Sequence, residues 1–79
     1  MKENEIDLTR SKEPSGTRLC IVQKIHDPYY VVLETCLPGS PVVTLDLSLF
    51  SLYSTPTFQE GDVLKFHYKE YILTKIEVL

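Results

Sequence analysis

The chain has 79 residues, 43% of them hydrophobic and 24% charged, with a formal net charge of −3 and a pI near 5.2. A single domain with a thin core follows from that length, because a domain this small buries only about 60% of its unfolded surface. The acidic balance argues against a binder that relies on a wholly basic face for phosphate neutralisation.

Residues 1–16 are polar and charged, and only Ile6 and Leu8 offer apolar area. Pro14-Ser15-Gly16 then punctuates the chain. A flexible tail is expected here, and the alternative is that Ile6 and Leu8 dock on a partner or cover a barrel edge. Residues 17–79 form the domain proper. A first strand runs Thr17–His26 and a second Tyr29–Leu37, joined by the turn chemistry of His26-Asp27-Pro28. A loop centred on Pro28 sets Ile25 against Val31, Gln23 against Leu33, Ile21 against Thr35 and Leu19 against Leu37. A one-residue slip would pair Ile21 with Glu34 and split the apolar set, so the first register is preferred. Pro38-Gly39-Ser40-Pro41 makes a turn. In the third strand Val43, Leu45, Leu47 and Leu49 alternate with Val42, Thr44, Asp46 and Ser48, although Leu47–Tyr53 also reads as a helical turn. Ser54-Thr55-Pro56-Thr57 stops either form. The turn Gln59-Glu60-Gly61-Asp62 places glycine where a positive φ is often needed. The fourth strand then shows Leu64, Phe66 and Tyr68 on one face with Val63, Lys65 and His67 on the other. In the last strand Ile72, Thr74, Ile76 and Val78 alternate with Tyr71, Leu73, Lys75 and Glu77.

Five short antiparallel strands cannot cover both faces of an open sheet. Curling into a small all-β barrel hides the edges and creates one interior. On the alternation above, that interior holds Leu19, Ile21, Ile25, Val31, Leu33, Val43, Leu45, Leu47, Leu64, Phe66, Ile72, Ile76 and Val78.

The arrangement resembles a minimal OB-fold over residues 17–79. It has a three-strand meander, a short segment, and FQEGDVLKF in the manner of an OB fourth strand opened by EGD-apolar-x-apolar. It is also similar to small bacterial SH3-like barrels in which VxLPLxLLP precedes EGDVL. The matching stretches are Val43–Ser51 and Glu60–Phe66, with Asp46 where those barrels carry proline. The OB resemblance implies a five-stranded barrel whose loops between the first two and the last two strands flank a groove. It also implies kinship with small accessory subunits of single-strand-binding assemblies.

No catalytic signature accompanies this fold. Cys20 and Cys36 with the scattered His26 and His67 do not match zinc-ligand spacing, and two thiols make no disulfide framework. Reduced cysteines serving as small hydrophobes are the simpler reading. No nucleophile accompanies either histidine. Gly61 stands alone, so no phosphate-cradling loop is present. The N-terminus lacks a signal-like apolar region, and no apolar run approaches the roughly 20 residues of a membrane-spanning helix. An intracellular protein of cytoplasm or nucleus, without enzyme activity, cofactor, metal, membrane or small-molecule substrate, is expected.

Two surfaces remain. On the preferred register Cys20, Val22, Tyr30, Val32 and Cys36 face outward, with Leu73 and Leu79 outside on the last strand. An apolar exterior of this kind marks a protein-interaction site, for a larger partner or a homodimer, in an accessory subunit of a nucleic-acid-processing complex. The alternative is single-stranded DNA or RNA binding, with Lys24, Tyr30, Tyr68, Lys69 and Tyr71 near the hairpin tips stacking bases and neutralising phosphates. A third possibility is an acidic inhibitor of a nucleic-acid-binding enzyme.

Overall fold

A computed structural model describes residues 8–27, 29–36, 38–53 and 58–79. Five strands, β1 (Ser15–His26), β2 (Tyr30–Thr35), β3 (Val42–Asp46), β4 (Val63–Lys69) and β5 (Ile72–Val78), form one antiparallel sheet in the order β3-β2-β1-β4-β5. A short helix, α1 (Ser48–Tyr53), stands between β3 and β4 and touches both β3 and β5. The ladder does not close: β3 and β5 are its two edges. Leu47–Tyr53 thus takes its helical option, and the Asp46 carboxylate starts it by accepting the Ser48 N–H at 2.9 Å. The expected stop at 54–57 lies outside the described residues.

β1 is the central strand. Its first half pairs with β4, from Ser15↔Lys69 to Ile21↔Val63, and its second half with β2. The expected Ile25↔Val31 pair is present, although Pro28, on which that register was centred, lies outside the described residues. Between Val22 and Lys24 the register shifts by one, leaving Gln23 as the extra residue of a β-bulge. Beyond it Val22 pairs with Leu33, Ile21 with Glu34 and Cys20 with Thr35. The register rejected from sequence is therefore the one adopted in this half of the strand. The partner expected for Leu19, Leu37, lies outside the described residues. The bulge has identifiable supports. The Ile25 N–H donates to Glu60 Oε2 at 3.2 Å, Gln23 Nε2 donates to Glu34 Oε1, and Val22 exchanges both backbone bonds with the turn at Gly61 and Asp62. Gly61 sits at φ 95°, as that turn requires.

One residue of slip turns every side chain over. The core therefore takes Cys20 and Val22, at 0% and 1% exposure, while Leu19 and Ile21 face outward at 39% and 36%. The small Cys20 and Val22 stand opposite Leu64 and Leu33. A second bulge acts likewise in β5. Tyr68 pairs with Leu73 but His67 with Lys75, so Thr74 is the extra residue, and its hydroxyl donates to the His67 carbonyl at 3.2 Å. Leu73 is thereby buried and Ile72 exposed, the reverse of the alternation read from sequence.

Residues 8–11, within the N-terminal segment of the sequence reading, lie against the sheet. Leu8 is fully buried, its carbonyl accepts the Tyr68 hydroxyl at 2.7 Å, and Leu73 N–H donates to the Thr9 carbonyl at 2.9 Å. Arg10 bridges to Ile72, and Ser11 N–H donates to the Tyr71 carbonyl. Residues 8–11 thus cover the start of the β5 edge, and burying Leu8 contributes about 1.5–3 kcal/mol. Ile6 lies outside the described residues. Phe50 of α1 packs on Phe58 with ring centroids 5.0 Å apart and joins Leu33, Leu64, Phe66 and Ile76 in the core.

Candidate interaction surface

The bulge at Gln23 decides what β1 shows to solvent. Leu19-Cys20-Ile21-Val22 is apolar at every position, so either face of the strand is apolar whichever register is chosen. Strands covered on both faces read as such continuous runs. Here the core covers one face, and among the described residues nothing covers the other.

Register extends Ile21 into a row across the whole sheet. Val42 of β3 pairs with Glu34 of β2, Glu34 with Ile21, and Ile21 with Val63 of β4, whose carbonyl accepts the Leu79 N–H. Val42 is 55% exposed and Leu79 63%, while Val63 is half-buried. The neighbouring row sets Cys36, Leu19, Lys65 and Glu77 side by side. On the other flank Val32, half-buried, lies between Lys24 and Thr44. Polar groups lie within and beside these rows, with Glu34 between Val42 and Ile21 and Lys65 next to Leu19. Gln23 and Glu34 are hydrogen-bonded to each other. His67 Nε2 and Glu77 Oε1 lie 2.9 Å apart, and that bond holds the Glu77 carboxyl below its usual range, helped by Lys75 and Lys65.

Of the residues expected on the outer face of the sheet, Tyr30, Val32, Cys36 and Leu79 lie there. Cys20, Val22 and Leu73 do not, because the two bulges turn them into the core. Burial pushes the Cys20 thiol up to about 12, with the nearby Cys36 adding to the rise and Arg18 opposing it. Leu19, Ile21, Val42 and Val63 are the members that the sequence reading missed. The signal available for them was the unbroken apolar run of β1.

The residues expected to contact nucleic acid separate into two groups at opposite ends of β1. Lys24 and Tyr30 belong to the β1–β2 hairpin, where Tyr30 stacks on His26 with centroids 4.5 Å apart and Tyr29 is 72% exposed. Lys69 and Tyr71 belong to the β4–β5 hairpin, beside Arg10 and Lys12 of the N-terminal segment. Tyr68 is no stacking platform, since it is only 5% exposed, with its hydroxyl held by Leu8 and the Arg18 guanidinium 5.2 Å from its ring centre. Glu70 and Tyr71 both adopt positive φ, at 54° and 71°, and present the Tyr71 ring half-exposed at the tip. Among the described residues no three metal-ligating side chains come together, and no helix is long and apolar enough to cross a membrane. Comparison with protein-family models, curated proteins and solved structures finds no match.

Proposed function

We propose that this chain is a non-enzymatic protein-interaction module that binds a larger protein through the outer face of its sheet, as an accessory subunit. The observation that carries this reading is the apolar strip of Leu19, Ile21, Val42 and Leu79, left outside a strand whose composition suits cover on both faces. The three-strand meander and the helix placed between β3 and β4 support an OB-like fold, which is itself a partly open five-stranded arrangement.

The test is a pull-down of tagged protein from its native lysate after nuclease treatment, with Leu19→Lys/Ile21→Lys alongside wild type. Both positions are exposed, so the double variant keeps its fold and loses the partner. Retention of the same stoichiometric partner by a folded double variant overturns the reading. A second reading, contact with single-stranded nucleic acid, is favoured only by the β4–β5 hairpin, where Tyr71 stands exposed among Lys69, Arg10 and Lys12. It predicts oligonucleotide binding that weakens with salt and is lost in Tyr71→Ala. Absence of binding at low salt removes it.

A further inference from the structure

The two edges of the sheet are treated differently. The β5 edge is covered at its start by residues 9–11, is bent by the bulge at Thr74 and carries Lys75. Covering segments, bulges and lysines are the means by which proteins stop edge strands from pairing with other chains. The β3 edge has none of them. Val42–Asp46 contains no lysine, arginine, proline or bulge, and among the described residues no segment pairs with its free side.

The direction of the free groups follows from the ladder. Thr35 N–H donates to the Pro41 carbonyl and Leu47 N–H to the Tyr29 carbonyl. Antiparallel pairs alternate between bonded and non-bonded. Residues 41, 43, 45 and 47 therefore bond inward to β2, while Val42, Thr44 and Asp46 direct N–H and C=O away from the sheet. Three residues with two groups each can form about six hydrogen bonds with an added strand.

We propose that the added strand is β3 of a second copy, antiparallel, with a two-fold axis at Thr44. The sequence of the strand suits itself in that register. Thr44 meets the second copy's Thr44 on the outer side, a favourable cross-strand pair. Val43 meets Leu45 twice on the inner side, where both residues are half-buried against the core, so the two cores join across the seam. Asp46 faces Val42 of the other copy, which keeps the two carboxylates apart. The product is a continuous ten-stranded sheet with one shared outer face, twice the five strands of a single chain. An isologous contact of this kind closes on itself and does not propagate into fibres.

Sedimentation equilibrium over a wide concentration range, joined to amide hydrogen exchange, tests this. Wild type is expected to be a dimer whose Val42, Thr44 and Asp46 amides gain protection as concentration rises, while Val43 and Leu45 are protected throughout. Thr44→Pro removes one outward N–H and leaves the β2 ladder intact, so it should sediment as a monomer with an unchanged far-ultraviolet spectrum. Thr44→Lys sets two ammonium groups face to face at the axis and should do the same, which keeps the test decisive where the proline variant fails to fold. A wild-type monomer at all concentrations overturns the proposal. So does a dimer that survives Thr44→Lys, or one in which the three outward amides exchange freely. Protection of those amides only on addition of a different protein also overturns it, and assigns the edge to an extended segment of that partner.

Discussion

Glu70 and Tyr71 form the turn of the β4–β5 hairpin in a conformation that Asn-Gly adopts with little strain and that other residues resist. The Tyr71 backbone is clamped on both sides, its N–H donating to the Pro14 carbonyl at 3.3 Å and its carbonyl accepting the Ser11 N–H at 3.0 Å. A strained pair held this way should relax when replaced. Glu70→Asn/Tyr71→Gly is expected to raise stability by about 1 kcal/mol, a shift in Tm of about 4–8 °C, while removing the exposed ring. Thermal unfolding measures the gain, and a lower Tm shows that the tyrosine supports the fold. The cysteines provide a second comparison. A thiol reagent at mildly alkaline pH should modify Cys36 quickly and Cys20 only on unfolding. The folded pKa of Cys20, about 12, lies above its ordinary value of 9.0. The fold thus favours the neutral thiol, and this contribution is complete below pH 9 and lost as pH rises through 12. Wild type should therefore lose stability faster than Cys20→Ala across that window, as equilibrium denaturation at several pH values would show.

Each strand can be read from its period-2 pattern and bounding turns, and the turns near Asp27, at residues 38–41 and at residues 59–62 are plain in their Gly, Pro and Asp content. The facing of two strands could not be read. A bulge inserts one residue without any mark in the hydrophobic pattern. Leu19 and Ile21 are as suitable for a core as Cys20 and Val22, and only the supports at Glu60, Glu34 and Asp62 decide between them. Those supports come from sequence positions that alternation does not connect. The same applies to Thr74, where Ile72 and Leu73 compete on equal terms. The candidate surface was accordingly legible as an apolar exterior but not as particular residues. The bulge makes a sharp prediction. Val22→Lys buries an unpaired ammonium beside Leu33 and should unfold the domain, whereas Ile21→Lys should change stability by less than about 1 kcal/mol. Urea unfolding of the two variants checks it, and equal effects would place both residues on one side of the sheet.

The whole molecule is held by a central strand with neighbours on both sides and by an N-terminal segment that returns to its far end. Leu8→Ala should cost about 2–5 kcal/mol, a large part of the stability of a chain this size. Calorimetry would register it as a much lower Tm or the absence of a transition. Residues 8–11 meet residues 68–73, so this contact spans nearly the entire sequence. Long-range contacts of this kind form slowly and late. Leu8→Ala should then speed unfolding and leave refolding nearly unchanged in a denaturant chevron, whereas slowed refolding would put Leu8 in the nucleus. The same closure bears on biosynthesis. Leu8 is translated 60 residues before its hydroxyl partner, Tyr68, and earlier still than Leu73 of β5, whose N–H bonds to the adjoining Thr9 carbonyl. A nascent chain therefore cannot complete this core until residues through Ile76 have left the ribosome, and until then the apolar positions of β1 lack their β4 and β5 core partners.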